Sequence, residues 1–307
     1  MRHRFILSAV IAISLATCYP TLVFAQTSKN SIPLSSKSTD QWRIRWDRSD
    51  DFNDDEVDWL KWNQSPENFG AWVWDNDANV AVSDGHVQIA MRRLPAPIVK
   101  GGRPPTPYTS GMLKSHVTGT YGYYEARIQG APLFPGVCPS FWLYSKIDDT
   151  IVPKDETRYS EVDIVELTQR GDRLEGNERI ADCNLHAIVS NGKPGMLRRE
   201  WHRPNDERFK AEQANEVRLP FDPRSDFHTY GCEITPKTIT WFIDGTAIGQ
   251  KQNRYWHREM HVALSLGLRP PYSTYTAKGF VPAEVKVTEE FPTTMLVDYV
   301  RVWDRLK

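Results

Sequence analysis

The chain has 307 residues, of which 40% are hydrophobic and 25% are charged, and its formal net charge is −1. That length is ample for a sizeable core, as one sandwich-like domain or as two smaller domains. The near-neutral charge gives no reason to expect a nucleic-acid partner. It also means that an acidic substrate would have to be recognised by local groups rather than by bulk attraction.

The N-terminal segment has the pattern of a leader. A basic start, a short apolar run and small residues near its end predict that residues 1–25 are a secretory signal peptide. The apolar run is too short to cross a membrane comfortably, and Cys18 fits a lipoprotein cleavage site poorly because Thr17 precedes it. Residues 26–41 are rich in Ser, Thr and Lys and are predicted to be a flexible leader. We therefore expect a secreted or periplasmic protein, not associated with a membrane, whose folded domain spans residues 42–307.

From residue 42 onward, short runs rich in β-branched and aromatic residues predict a series of strands. Asp84-Gly85 and Asp244-Gly245 are typical of tight hairpin turns. Only residues 206–217 have weak helical character, and no internal repeat is visible. The predicted strands are 71–74, 80–82, 86–92, 112–115, 121–129, 140–144, 185–189, 228–234, 238–243, 262–268 and 295–303, and the predicted loops are 94–107, 146–158 and 169–182. Many short strands and few helices predict an all-β sandwich.

One further strand differs from the rest because three carboxylates interrupt its apolar run, Glu161-Val162-Asp163-Ile164-Val165-Glu166. Side chains alternate along a strand, so Glu161 and Asp163 share one face, but a regular strand would send Glu166 to the apolar face. An extra residue at Ile164-Val165, a β-bulge, removes this conflict. The sequence therefore predicts three acids in a row on one face of a bulged strand.

Such a row of acids suits glycoside hydrolysis. A retaining enzyme needs an ionised carboxylate as nucleophile and a protonated carboxylic acid about 5–5.5 Å from it. A third acid between them can adjust the proton affinity of its neighbours through like-charge repulsion. Because Glu161 and Glu166 are well separated along an extended strand, their side chains must lean together and the bulge must shorten the path. From the spacing alone, a strand with three solvent-facing acids is equally compatible.

The acidic strand resembles the E-x-D-x-x-E signature of glycoside hydrolase family 16 in its bulged form. Other segments resemble the κ-carrageenases of that family in order and spacing, over roughly residues 42–305. Two of them, 134–145 and 264–269, indicate carrageenases within the family. The remaining similar segments are 108–111, 121–128, 184–187, 230–233, 255–258 and 297–303.

The resemblance implies a concanavalin A-like β-jelly roll with a concave substrate cleft. It implies that Glu161 is the nucleophile, that Glu166 is first the general acid and then the general base, and that Asp163 is the assisting carboxylate. It implies no organic cofactor for catalysis.

Several residues are candidates for binding the sugar chain. Alternation places Trp142 on the opposite face from its neighbours Phe141 and Leu143, where its indole could support a sugar ring. His186 shares a strand face with Asn184, and both could face the substrate. His186 could instead bond to a catalytic carboxylate or be a structural histidine. Zinc is not expected because no second His or Cys lies at a ligand spacing typical of such sites.

Arginines are the candidates for recognising sulfate groups, because a guanidinium forms paired hydrogen bonds with a tetrahedral anion. The resemblance implies that Arg269 binds the galactose 4-sulfate beside the scissile bond. A second cluster of Trp201 with Arg198, Arg199 and Arg203 could bind further sulfates. The structural alternative for Arg269 is a surface arginine in a salt bridge. The structural alternative for the cluster around Trp201 is a solvated loop.

A structural calcium ion is the one metal that the resemblance suggests. Many family members hold one on the convex face, which implies Asp298, the backbone carbonyl of Gly85 and Asp51 as ligands here. Calcium favours such clusters of oxygen atoms. Pairing of these acids with Arg301 is the alternative.

The mature chain would keep three of the four cysteines, Cys138, Cys183 and Cys232. In an exported protein one pair could form a disulfide and leave one thiol. The sequence does not specify which pair.

Together these features predict a monomeric, endo-acting, retaining glycoside hydrolase that cleaves β-1,4 linkages of a sulfated red-algal galactan, above all κ-carrageenan. The nearest alternative is the same chemistry on furcellaran, hybrid β/κ-carrageenan, agarose or porphyran. The alternative from another class is a lectin-like binding module, because jelly rolls also serve as sugar-binding domains.

Overall fold

The computed structural model describes residues 32–36, 41–100, 104–150, 153–171, 174–191, 198–276, 279–283 and 290–306. The predicted signal peptide and most of the predicted leader lie outside these residues. In the part of the leader that is described, the backbone N–H of Leu34 donates to Oε2 of Glu125 at 2.9 Å. No helix within the described ranges is both long and apolar enough to span a bilayer.

Strands dominate the described chain. Two short helices, α1 (Asn76–Asn79) and α2 (Lys210–Gln213), and one 3-10 turn (Asn177–Arg179) lie between them. The strands are β1 (Trp42–Ile44), β2 (Val73–Trp74), β3 (Val80–Ser83), β4 (His86–Ile98), β5 (Thr106–Ser110), β6 (Met112–Gly119), β7 (Gly122–Gln129), β8 (Val137–Tyr144), β9 (Thr157–Leu167), β10 (Ile180–Asp182), β11 (Leu185–Asn191), β12 (Arg198–His202), β13 (Glu216–Arg218), β14 (His228–Ile234), β15 (Thr238–Ile243), β16 (Thr246–Gln252), β17 (Met260–Leu268), β18 (Ser273–Thr276), β19 (Gly279–Pro282) and β20 (Thr293–Arg305).

Two sheets form a sandwich, as predicted. The larger sheet has the order β16-β15-β14-β7-β20-β4-β5-β2, with β1 beside β20 and β3 beside β4. The smaller has the order β12-β11-β9-β8-β17-β6, and β10 pairs with both β9 and β13. One apolar core joins them, because residues such as Val87 and Val297 of the larger sheet and Phe141 and Leu264 of the smaller one belong to the same buried cluster. Strand β9, with its acids, lies near the middle of the smaller sheet.

Both predicted hairpin turns are confirmed. Asp84 and Gly85 have φ angles of 55° and 73°, and Asp244 and Gly245 have 46° and 76°. A two-residue turn with both central residues in the left-handed region matches the twist of the strands that it joins. In both turns a glycine occupies the second of these positions, where a Cβ would be strained.

Three local predictions are wrong. Residues 94–98 were expected in a loop but extend β4, and its register with β5 is irregular between Arg93 and Ile98 because the prolines there cannot donate to the ladder. The segment 206–217 contains one helical turn and then β13, whose pairing with β10 replaces further helix. The predicted loop 169–182 ends in β10, whose three residues are too few to give a periodic signal.

Candidate active site

The acidic strand carries the predicted bulge. In the β8–β9 pair Val165 lies opposite Phe141 and Asp163 lies opposite Trp142, so Ile164 is the extra residue. Ile164 and Val165 are both buried, whereas Glu161 and Glu166 are partly exposed. Directly opposed residues of an antiparallel pair project from the same face. The acid row therefore lies beside a second row on β8, formed by Ser140, Trp142 and Tyr144.

Two buried indoles fix the backbone beneath the acids. Trp256 donates from Nε1 to the carbonyl of Glu161 at 2.8 Å and lies 3.1 Å from the carbonyl of His186. Trp241 donates from Nε1 to the carbonyl of Asp163 at 2.9 Å. Because both tryptophans are almost fully buried in the core, the position of the acid row is tied to the packing between the sheets.

His186 lies against two of the three acids. It is opposite Glu161 in the β9–β11 pair, and its Nε2 is 3.1 Å from Oδ2 of Asp163 and 3.7 Å from Oε1 of Glu161. Burial acts against the charged imidazole, but the two carboxylates outweigh it and raise the pKa of His186 to about 9. Of the alternatives that the sequence left open for this histidine, the structure favours the contact with the carboxylates of the acid row.

Asp163 is the most buried of the three acids, at 3% exposure. Its burial, together with the charge of Glu166, raises its pKa to about 8, although His186 acts in the opposite direction. A carboxyl that keeps its proton at neutral pH can donate a hydrogen bond to a neighbouring nucleophile, as the assisting role requires.

Tyr159 is a contact of the predicted nucleophile that our sequence reasoning missed. Its hydroxyl donates a hydrogen bond to Oε2 of Glu161. Burial, followed by the charge of Glu161, raises the pKa of Tyr159 well above its ordinary value, so the phenol stays a donor. The signal was present in the sequence, because residues two apart in a strand share a face.

The predicted general acid is held between two side chains. Oε1 of Glu166 accepts from Nη2 of Arg269, and Oε2 accepts from Nε2 of Gln169, both at 2.8 Å. The thiol of Cys138 lies 3.7 Å from Oε1; burial raises the pKa of this thiol, which therefore stays protonated. Arg269 also donates from Nε to Oε1 of Gln169 at 3.2 Å. The arginine predicted to bind sulfate thus reaches the site, where its guanidinium contacts the acid.

Two predicted aromatic residues lie along the acid row. Trp142 stacks on Tyr144 with ring centres 4.5 Å apart and donates from Nε1 to the hydroxyl of Ser265 at 3.1 Å. Trp201 is 38% exposed and packs edge-on against Tyr159, with ring centres 5.7 Å apart. The guanidinium of Arg203 lies 4.5 Å from the centre of the Trp201 ring. An exposed indole and a cation therefore lie next to the tyrosine that donates to Glu161.

Asn184 is placed differently from the other candidates. Its side-chain oxygen accepts the backbone N–H of Asn215 at 3.1 Å, and its backbone carbonyl accepts the N–H of Asp163 at 3.0 Å. At 9% exposure, it orders the backbone around the acids.

The family follows from comparison with known proteins. A family model described as "Beta-porphyranase A-D, GH16 domain" matches residues 42–305. The chain belongs to glycoside hydrolase family 16. Its two sheets form the jelly roll of that family.

Two related sequences and one solved structure illustrate the similarity within family 16. The κ-carrageenase of Pseudoalteromonas carrageenovora is 44% identical over 280 residues, which are 88% of this chain and 67% of that protein. The beta-porphyranase B of Zobellia galactanivorans is 26% identical over 251 residues, 78% of this chain and 79% of that protein. The crystal structure of the P. carrageenovora κ-carrageenase with an oligotetrasaccharide of κ-carrageenan superimposes with a TM-score of 0.80 at 42% identity, covering 88% of this chain and 98% of that chain.

The residues expected to bind the calcium ion of family 16 are engaged with arginines. Oδ2 of Asp298 accepts from Arg127 at 2.7 Å, and Oδ1 of Asp51 accepts from Arg301 at 2.6 Å. Each carboxylate therefore already faces a cation, so these residues do not offer the free oxygen cluster that calcium requires. Gly85 lies in the tight turn between β3 and β4. The calcium site stays a prediction.

A different group among the described residues has metal-ligand geometry: single ligand atoms of Glu161, Asp163 and His186 lie within 4.8 Å of one another. These are the residues already assigned to the acid row and its histidine. The cysteines Cys138, Cys183 and Cys232 are all free and buried, so none of the three disulfides that they could form is present.

Proposed function

We propose that this chain is a secreted, monomeric, endo-acting and retaining glycoside hydrolase that cleaves β-1,4 linkages of a sulfated galactan, with κ-carrageenan as its preferred substrate. The observation that carries the proposal is the row of Glu161, Asp163 and Glu166 on one face of β9, with Arg269 at the acid. The 44% identity to a κ-carrageenase supports the choice of substrate.

The proposed reaction is a double displacement. The carboxylate of Glu161 attacks the anomeric carbon while Glu166 gives its proton to the leaving glycosidic oxygen, so that the C–O bond breaks and a glycosyl ester forms on Glu161. Glu166, now ionised, takes a proton from a water molecule that attacks the same carbon and releases Glu161. The hydrogen bond from Tyr159 and the nearby imidazole of His186 hold Glu161 in place for attack.

Arg269 connects the substrate with the acid. A sulfate beside the scissile bond would compete with Glu166 for the guanidinium, because both offer oxygen atoms that accept hydrogen bonds from an arginine. A half-buried arginine at this place, with 17% of its side chain exposed, gives local recognition of an anion on a chain whose net charge is only −1.

A panel of purified galactans tests the proposal. We expect the purified protein to release reducing ends from κ-carrageenan faster than from ι-carrageenan, hybrid β/κ-carrageenan, furcellaran, agarose or porphyran. We expect Arg269→Ala to lower kcat/KM on κ-carrageenan about a hundredfold more than on uncharged agarose. Arg301→Ala is the matched control, because Arg301 is also half-buried and paired with a carboxylate but lies on the other sheet.

Porphyran is the second candidate substrate, because the family model that matches the chain is that of the beta-porphyranases A to D. Faster cleavage of porphyran would keep the mechanism and change the substrate. Binding of these polysaccharides without any release of reducing ends would contradict the enzymatic proposal and favour a lectin-like module.

A further inference from the structure

A fourth carboxylate, Asp182, lies beside the general acid. Strand β10 places Asp182 directly opposite Glu166 in its pairing with β9, so the two side chains leave the same face of the sheet. The Asp182 side chain is only 8% exposed, and its Oδ1 is 3.2 Å from Nη2 of Arg170. A second buried carboxylate next to a catalytic acid is unfavourable for the fold, which points to a role in the site.

Gln169 connects the two carboxylates. Its Nε2 donates to Oε2 of Glu166 at 2.8 Å and lies 3.3 Å from Oδ2 of Asp182. Its Oε1 accepts from Nε of Arg269 at 3.2 Å. An amide has one accepting end and one donating end, so the arginine on one side and the carboxylate on the other fix its direction. The donating end of Gln169 must therefore face Glu166.

Asp182 and Glu166 also interact through charge. Burial raises the pKa of Asp182 to about 6; the charge of Glu166 contributes to this increase, and Arg170 opposes it. The two carboxylates therefore interact electrostatically as well as through Gln169.

We propose that Asp182 is a positioning residue for Glu166: both carboxylates accept from the amide nitrogen of Gln169, and through that amide Asp182 fixes the orientation of the acid's carboxyl. The proposal rests on the proposed function, in which Glu166 is the general acid. It extends the catalytic machinery beyond β9 to β10 and to the turn that follows β9.

Other charged and titratable groups face the same pair, and they set the background for any pH experiment. Glu166 is also faced by Asp163 of β9, His186 of β11, Cys138 of β8 and Arg269 at the end of β17. Asp182 is also faced by Arg170 and by Glu216 of β13. Glu216 lies directly opposite Asp182 in the β10–β13 pair and shares its partner Arg170.

The first test is the pH profile of Asp182→Asn, with Glu216→Gln as the matched control. Asparagine keeps an oxygen for Gln169 but removes the charge. We expect about a tenfold loss of kcat at pH 8 with KM nearly unchanged, because a neutral amide oxygen holds Gln169 more weakly than a carboxylate does. Below about pH 5.5 the loss should shrink, because Asp182 is then largely protonated in the wild type. The control should keep the wild-type kcat at both pH values, and a wild-type kcat in Asp182→Asn at pH 8 would overturn the proposal.

The second test needs no substrate, so it separates this proposal from the proposed function. Thermal unfolding is measured for wild type, Asp182→Asn, Glu166→Gln and the double variant at pH 8 and pH 5. At pH 8 we expect the Tm of the double variant to rise by less than the sum of the rises in the two single variants. The reason is that repulsion between the two charges can be removed only once. At pH 5 the changes should add. Changes in Tm that add at both pH values would overturn the proposal. If the wild type cleaves no galactan but the two changes in Tm fail to add at pH 8, only the proposed function is refuted.

Gln169→Leu tests the connection itself and covers the case in which Asp182→Asn folds poorly. We expect about a tenfold lower kcat with KM nearly unchanged, because the acid loses its orientation while the substrate contacts remain. A wild-type kcat in this variant would exclude Gln169 as the link.

Discussion

Acids occur in groups on both sheets of this protein, but the two groups are neutralised differently. On the larger sheet and its flank, three acids pair with arginines: Asp51 with Arg301, Asp298 with Arg127, and Asp304 with Arg43, Arg45 and Arg48. On β9, three acids share one arginine, Arg269, and one histidine, His186.

The difference shows what separates a structural carboxylate from a chemical one. A half-exposed carboxylate with its own arginine is a local ion pair that contributes about 0–1 kcal/mol to stability. On β9 the acids outnumber their cations and Asp163 is buried, so its pKa rises to about 8. The crowding of acids around a buried carboxyl, rather than the presence of acids in a strand, therefore raises the pKa of Asp163.

The largest effects should come from neutral replacements in the acid row. We expect Glu161→Gln and Glu166→Gln each to lower kcat at least about a thousandfold while the fold stays intact, because one loses the nucleophile and the other the proton donor. Reducing-end assays measure kcat, and circular dichroism shows whether the fold stays intact. Asp298→Asn on the other sheet is the control and should stay within about twofold of wild type, and near-normal activity in either glutamine variant would refute the assigned roles.

A pair of tyrosine variants sharpens the comparison between the sheets. Tyr159 donates to Glu161 on the smaller sheet, and Tyr299 donates to Oε1 of Glu125 at 2.9 Å on the larger one. We expect Tyr159→Phe to lower kcat about ten- to a hundredfold, because the nucleophile loses a donor. Tyr299→Phe should change stability but not kcat. Equal kcat values for the two variants would contradict a catalytic role for Tyr159.

The pH dependence of stability should differ between the two groups of acids. Asp163 has a pKa raised to about 8, so the folded state binds more protons than the unfolded state and stability falls as pH rises from about 4 to about 8. The pKa of His186 is raised to about 9, so its stabilising effect is present below about pH 6.5 and is lost as pH rises through about 9. Both changes lower stability between pH 6 and 8.

Chemical denaturation at pH 6 and pH 8 measures this loss. We expect the wild type to lose on the order of 1–3 kcal/mol, and Asp163→Asn to lose clearly less. Asp51→Asn, which removes an acid from the other sheet, should keep the wild-type slope. An Asp163→Asn variant with the same slope as the wild type would show that the acid row does not hold extra protons.

The smallest expected effect is that of metal removal. Because Asp51 and Asp298 already pair with arginines, we expect dialysis against a calcium chelator to change Tm by less than about 1 °C. A fall of several degrees that added calcium restores would establish the calcium site implied by the family resemblance.

Local sequence patterns predicted the features that depend on local physics. The bulge followed from a conflict between strand alternation and burial of Glu166, and the two hairpins followed from Asp-Gly pairs that tolerate positive φ. Tyr159 could have been predicted by the same alternation that grouped Glu161 with Asp163.

The remaining features depend on contacts between distant segments. The side chains of Arg269 and Glu166 are 103 positions apart in the sequence, and the three-residue strand β10 that carries Asp182 has no periodic signal of its own. Its pairing with β9 depends on the packing of the whole sheet. For the same reason, the sequence could not show that Asn184 orders the backbone or that arginines occupy the acids expected to bind calcium.

The stereochemistry of the first product is the most direct test of whether the acid row works by double displacement. Proton NMR of κ-carrageenan during the first minutes of digestion distinguishes the anomers at the new reducing end. We expect the β-anomer to appear first and the α-anomer to follow only by mutarotation. Initial formation of the α-anomer would contradict a covalent intermediate on Glu161.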